Sequence, residues 1–192
     1  FSGYNTQINF RVSPFSFFQT NTLGAQLLFS KAYEMLWTFD WNLMDLYCWT
    51  GTIGLSFMKI WDFKSLLWIE ISESSINDAF YNAKINGLSD KVKFMCGKAE
   101  TLLSWESLWD DLNNIGVIVV DPPRDWLHKN VMDFLIKFKE LKPFKLLYIS
   151  CNPVTMARDV DYLLQNSFVL KGLKAVDMFP WTNHIESIWI MQ

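Results

Sequence analysis

The sequence predicts a doubly wound α/β domain: a mostly parallel, seven-stranded sheet that ends in an antiparallel hairpin. Three observations predict it. Short apolar runs alternate with segments of helical periodicity along most of the 192 residues, the pattern of successive strand–helix–strand units. The last two apolar runs, at 168–176 and 187–191, have no helical segment between them and so pair antiparallel. Two interior runs close on loops rich in reactive groups, Asp121-Pro122-Pro123-Arg124 and Ser150-Cys151-Asn152-Pro153. In open α/β sheets, ligands bind at the carboxyl ends of the strands, where such loops lie.

Residues 1–20 read as an extended lead-in. Ile8-Asn9-Phe10-Arg11-Val12 has the composition of a strand, and Ser13-Pro14 with the aromatic cluster at 15–18 follows it. From Thr22 to Leu36, Leu23, Leu27, Leu28, Ala32 and Met35 recur at helical spacing. The alternation then runs strand 43–47, helix 53–60, strand 65–71, helix 74–86, strand 92–95 and helix 99–108. Strand 116–120, helix 130–138, strand 145–150 and helix 154–164 complete it before the hairpin. Residues 21–192 are thus expected to form one domain.

Composition narrows the function. Hydrophobic residues make up 51% of the chain, enough for a sizeable core. No stretch approaches the roughly 20 apolar residues of a membrane span. No basic-then-apolar leader is present either, so a cytoplasmic protein is expected. Cys48, Cys96 and Cys151 lie far apart without metal-ligand spacing, which argues against a disulfide framework or a zinc site. Net charge is −3, a poor balance for gripping nucleic acid unaided.

The first apolar run leads through Asp45-Leu46-Tyr47-Cys48-Trp49-Thr50-Gly51-Thr52-Ile53-Gly54 into a helix. A glycine-bearing loop lets backbone approach a ligand, and the helix start offers N–H groups. The next run ends on Glu70, placed to accept hydrogen bonds from ribose hydroxyls. This pairing suits NAD as well as S-adenosylmethionine, although the loop lacks the GxGxxG spacing of dinucleotide sites.

Five motifs in order are more specific: Phe17-Phe18-Gln19-Thr20-Asn21, Asp45-Leu46-Tyr47-Cys48, Asp121-Pro122-Pro123-Arg124, Ser150-Cys151-Asn152-Pro153, and Asp177-Met178-Phe179-Pro180 with His184-Ile185-Glu186. Together they closely resemble the catalytic domain of the RNA uracil-5-methyltransferases, over nearly the whole chain. The resemblance implies a Rossmann-like class I methyltransferase fold and S-adenosyl-L-methionine as cofactor. It implies methylation of carbon 5 of a uridine in tRNA or ribosomal RNA, and so an RNA partner. By matched position it assigns Cys151 as nucleophile and Glu186 as general base. Gln19, Tyr47, Thr52, Glu70 and Asp121 match the cofactor contacts; no metal is implied. Family members also carry an N-terminal RNA-binding barrel, so this chain is expected to be a fragment whose grip on RNA comes from elsewhere. The alternative is a cofactor-binding fragment without activity. A second alternative, methylation of cytosine or a small molecule, is disfavoured, because amine-directed enzymes typically show Asn-Pro-Pro-aromatic where this chain has Asp-Pro-Pro-Arg.

Carbon 5 of uracil is too weak a nucleophile to take a methyl group directly. A thiolate adding to carbon 6 activates it, and a carboxylate then removes the carbon-5 proton. Arg124 or Arg158 is expected to favour the Cys151 thiolate, with Phe179, Pro180 and Trp181 stacking on the target base. Cys48 and Cys96 are expected to be buried small hydrophobes. Ten tryptophans beside eight glycines are a further signature. Trp49, Trp68 and Trp126 stand where the family has glycine, and Trp37, Trp41 and Trp61 sit at helix ends and turns. The expectation is a gene whose UGA codons specify glycine.

Overall fold

The computed structural model of the chain describes residues 7–14, 16–36, 42–60, 63–103, 111–125 and 127–192. Strands β1 (Asn42–Leu46), β2 (Leu66–Glu70), β3 (Val92–Cys96), β4 (Ile115–Val120), β5 (Lys145–Ser150), β6 (Leu170–Val176) and β7 (Glu186–Met191) form one sheet in the order β3-β2-β1-β4-β5-β7-β6. Only the pairings of β7, with β5 and with β6, are antiparallel. The expected fold is therefore present, reversed strand included. The helices are α1 (Thr22–Leu36), α2 (Thr52–Ile60), α3 (Glu73–Ile85), α4 (Ala99–Leu102), α5 (Lys129–Leu141) and α6 (Pro153–Gln165). The expected helix at 99–108 is seen as α4; residues 104–110 lie outside the described set.

Side chains alternate across a strand, so neighbouring residues enter different cores. Leu43, Val117, Val119, Leu147 and Ile149 pack with α1, α2 and α3 on one face. Met44, Ile118, Val120, Leu146 and Tyr148 pack with α5 and α6 on the other. Burial on both faces is why the parallel strands read as continuous apolar runs. Each large aliphatic so buried contributes about 1.5–3 kcal/mol relative to exposure.

Two departures from expectation bear on function. Residues 9–13 are extended but join no strand. They lie along α3, where alternate residues meet side chains one helical turn apart. Asn86 bonds both the N–H and the carbonyl of Asn9 (3.1 and 2.8 Å), and Asn82 does the same for Arg11 (2.7 and 3.0 Å). Asp78 accepts the Ser13 N–H at 2.7 Å and the Arg11 guanidinium at 3.0 Å. Two strand residues advance about 6.6 Å and four helix residues about 6 Å, so the spacings match. His128, which no motif claimed, caps α5: its Nδ1 accepts the Asn130 N–H at 3.1 Å.

Candidate active site

Strand order reverses between β1 and β4, and a crevice opens there at the carboxyl ends. It holds a cavity of about 390 Å³ walled by Gln19, Trp49, Asp121, Arg124, Cys151 and Glu186, with Phe17, Phe18, Thr20, Pro122, Pro123 and Phe179 completing the lining. Four of the seven residues named from sequence thus share one space: Gln19, Asp121, Cys151 and Glu186.

Cys151 and Glu186 meet because of strand register. In the β5–β7 pair, Ile149 stands opposite Ile188 and Ser150 opposite Ser187. One further step sets Cys151 against Glu186, and directly opposed residues of an antiparallel pair share a face. The Ser187 hydroxyl donates to the Ser150 carbonyl at 3.3 Å, tightening this end of the ladder. The cysteine loop is then fixed by a helix cap. The Asn152 carboxamide oxygen accepts the Val154 N–H at 3.2 Å, with Pro153 opening α6. Asn152 Nδ2 and Thr155 Oγ1 both donate to the Arg124 carbonyl, at 3.1 and 3.2 Å. Those two bonds bring the arginine to the sulfur.

Burial pushes the Cys151 thiol above its ordinary value. A hydrogen bond from Arg124 opposes the rise, while the charges of Glu186 and Asp121 reinforce it. Arg158, the other candidate, instead pairs with the buried Asp159 at 2.8 Å. Glu186 is 5% exposed; burial pushes its carboxyl up to about 6, with Arg124 pulling the other way. Asp121 is pushed well up by burial, then by Glu186 and Asp45. The cavity is acidic, with Arg124 as its cation among the described lining residues.

The remaining expected contacts lie behind or beside the cavity. Glu70 is buried at the tip of β2. Its Oε2 accepts the Trp49 N–H at 3.0 Å and its Oε1 the Ser72 N–H at 2.8 Å. Thr52 is buried at the first position of α2. Tyr47 is half-buried, its phenol beside the His128 backbone and pushed up to about 12 by burial. Phe179 lines the cavity, whereas Trp181 stands fully exposed on the following turn. His184 is exposed, and its backbone N–H bonds Thr182 Oγ1 at 3.2 Å. Cys48 is buried as expected; Cys96 is exposed, contrary to expectation. Among the described residues no cluster of ligating side chains could hold a metal ion.

Sequence reasoning missed Asp45 as a structural hub. Its Oδ2 accepts the Gly54 N–H and the Trp68 indole N–H, each at 3.1 Å. Its Oδ1 is buried without a partner, and burial pushes the carboxyl up to about 7. Trp68 itself is fully buried. A β-carbon on Gly51 or Gly54 would come within 2.6 or 2.5 Å of its ring, so both glycines are required by this neighbour. Trp49 is placed differently. It follows β1 at φ 51° in the turn closed by Gly51 N–H to Cys48 O at 2.7 Å. Such backbone costs a non-glycine residue about 1–3 kcal/mol. Its indole N–H donates to the Asp121 carbonyl at 3.2 Å, and its ring packs on Phe17 at 4.9 Å. Trp37, Trp41, Trp61 and Trp126 lie outside the described residues.

Comparisons with known proteins agree with this geometry. Residues 4–192 match the family model described as tRNA (Uracil-5-)-methyltransferase. An uncharacterized RNA methyltransferase of Oceanobacillus iheyensis is 39% identical over 184 residues, covering 94% of this chain and 38% of that protein. Another, from Caldanaerobacter subterraneus, is 33% identical over 186 residues, covering 96% and 39%. The crystal structure of Pyrococcus abyssi tRNA (uracil-54, C5)-methyltransferase in complex with S-adenosyl-L-homocysteine superposes with a TM-score of 0.77 at 29% identity. That match covers 96% of this chain and 42% of the archaeal one. The chain thus spans about two fifths of the length of these relatives. By match and by architecture, the chain belongs to the tRNA (uracil-5-)-methyltransferase family.

Proposed function

We propose that these residues form the catalytic domain of an S-adenosyl-L-methionine-dependent enzyme that methylates carbon 5 of a uridine in tRNA or ribosomal RNA through a covalent cysteine–uracil adduct. The observation that carries this reading is Cys151, Glu186 and Arg124 lining one cavity.

The chain's chemistry fits the donor. Burial raises both Asp121 and Glu186, the charge of Glu186 raises Asp121 further, and a sulfonium cation among them favours their ionised forms. Each Glu70 oxygen accepts one backbone N–H, which leaves lone pairs for ribose hydroxyls. Gln19 and Asp121 line the space, and Tyr47 and Thr52 flank the loop that follows β1. When bound, the donor supplies an electrophilic methyl group.

Everything else falls to side chains. Arg124 favours the thiolate of Cys151. The sulfur adds to carbon 6 of a uracil stacked against Phe179, and the ring becomes an enolate nucleophilic at carbon 5. Once carbon 5 carries the methyl group, Glu186 accepts its proton. The carbon–sulfur bond then breaks, restoring the double bond and freeing Cys151. A carboxyl at about 6 is ionised at neutral pH yet still basic enough for this transfer. The net charge of −3 supports placing most of the grip on RNA outside these residues.

Covalent capture tests the reading. With S-adenosyl-L-methionine present, an RNA loop carrying 5-fluorouridine is expected to form an adduct with the chain that survives denaturing electrophoresis, because methylated carbon 5 then holds fluorine instead of a removable proton, and Cys151→Ala is expected to abolish it. No adduct, or one that persists in the variant, overturns the proposal.

A further inference from the structure

Tryptophan stands at two places where the backbone suits glycine. Among the described residues, four that are not glycine adopt left-handed φ: Tyr47, Trp49, Ser167 and Trp181. Two of them are tryptophans, although the described residues contain only Trp49, Trp68, Trp181 and Trp189. A bulky residue at such φ is an outlier, whereas glycine takes it freely. The side chains sharpen the contrast. Trp181 has φ 73° and is 103% exposed, so no packing offsets its strain. Trp189 buries an indole nitrogen with no hydrogen-bond partner. Trp49 does make contacts, with its backbone N–H on Glu70 and its indole N–H on the Asp121 carbonyl. It therefore spans the two acidic residues assigned above to the donor and fills the space between them. Trp68 carries no such signal: its backbone is ordinary and its N–H is bonded.

We propose that positions 49 and 181 are glycine in the working protein, with both tryptophans standing at UGA codons that the source reads as glycine. Glycine at 49 then opens the donor half of the cleft. UGA is the codon on which such a difference can turn: a stop in the standard code, tryptophan in some variant codes and glycine in others. The claim about opening rests on the donor reading above; the claim about coding does not.

The gene gives the first test. UGA is expected at both positions, and UGG at 49 overturns the coding claim. Calorimetry with S-adenosyl-L-homocysteine gives the second. Trp49→Gly is expected to bind at least tenfold more tightly than the chain with tryptophan, and Trp49→Ala, which clears the indole but keeps the strained backbone, to gain as well. No gain in either folded variant overturns the claim about opening. Trp181→Gly is expected to leave that affinity unchanged and to raise Tm by roughly 2–4 °C; a lowered Tm counts against glycine at 181. Capture of 5-fluorouridine RNA by Cys151 is scored separately, in Trp49→Gly with saturating S-adenosyl-L-methionine, because the adduct becomes stable only once the methyl group has been transferred. Capture without a gain in S-adenosyl-L-homocysteine affinity sinks the claim about opening and leaves the function standing. A gain without capture does the reverse.

Discussion

Cys151 and Glu186 face each other because two strands pair, whereas Trp49 meets Glu70 because a loop folds back on a strand end. The acceptor half of the cleft inherits its geometry from the β5–β7 ladder and from the capped start of α6. The donor half depends on a few side-chain bonds: Asp45 to Gly54 and Trp68, Asn82 to the Thr50 carbonyl at 3.2 Å, and Thr50 Oγ1 to the Phe17 carbonyl at 3.4 Å. Ladder geometry is held by many mutually supporting bonds, so one altered loop residue leaves it in place. A loop held by isolated contacts to separate partners is more open to what its own residues demand. The difference teaches where tolerance lies in this fold. The acceptor half is sensitive to chemistry and the donor half to volume.

The largest expected effect lies in the acceptor half. Glu186→Gln is expected to lower turnover by about 10²–10⁴-fold, because proton removal from carbon 5 loses its base. Covalent capture is retained, since sulfur addition does not require that carboxylate. Loss of capture together with turnover breaks the division of roles. The rate is expected to rise with pH through about 6 as Glu186 deprotonates, and to keep rising as the elevated Cys151 thiol ionises. The step near 6 disappears in Glu186→Gln.

A smaller loss is expected behind the donor loop. Trp68→Ala removes a fully buried ring braced by Gly51 and Gly54 and is expected to cost about 3–5 kcal/mol in urea unfolding. A loss below about 1 kcal/mol means the loop collapses into the void, sharpening the view that this half is plastic. Asp45 gives the smallest effect. Its carboxyl rises from 3.8 to about 7, so the fold favours the protonated form. That contribution is full below about pH 4 and is lost as pH climbs through about 7. The decline is roughly 2–4 kcal/mol. Asp45→Asn is expected to flatten it, and unfolding midpoints at pH 4.5 and 8 check this.

Much of this molecule was legible before its structure. The central parallel strands β2, β4 and β5 follow from apolar runs, because a strand buried on both faces has little polar to interrupt it, while the exposed β3 and β6 keep lysines among their apolar residues. That Cys151 and Glu186 share one cavity was legible because each sits in a motif at a strand end. What sequence left open was decided by tertiary neighbours. Arg124 and Arg158 were equal candidates until the Asn152 and Thr155 bonds drew the β4 loop to the cysteine and Asp159 took the other arginine. The strand-like composition at 8–12 correctly signalled extended backbone, but its partner is a helix rather than a sheet. Tyr47 and Thr52 lie near the crevice by sequence, yet neither lines the cavity: Tyr47 packs on the core beneath α5 and α6, and Thr52 is buried at the start of α2. Trp49 and Trp68 are the same residue 19 positions apart with opposite fates. Only backbone angle and neighbouring glycines separate them.

The lead-in on α3 has a consequence of its own. Its polypeptide is clasped by three side chains from a helix, so it can peel away without breaking any rung between strands. Phe17 and Gln19, at its far end, line the crevice, so the mouth is shaped by a segment that contributes no rung to the sheet. Access for a bulky nucleotide and integrity of the scaffold are, in this architecture, separable properties.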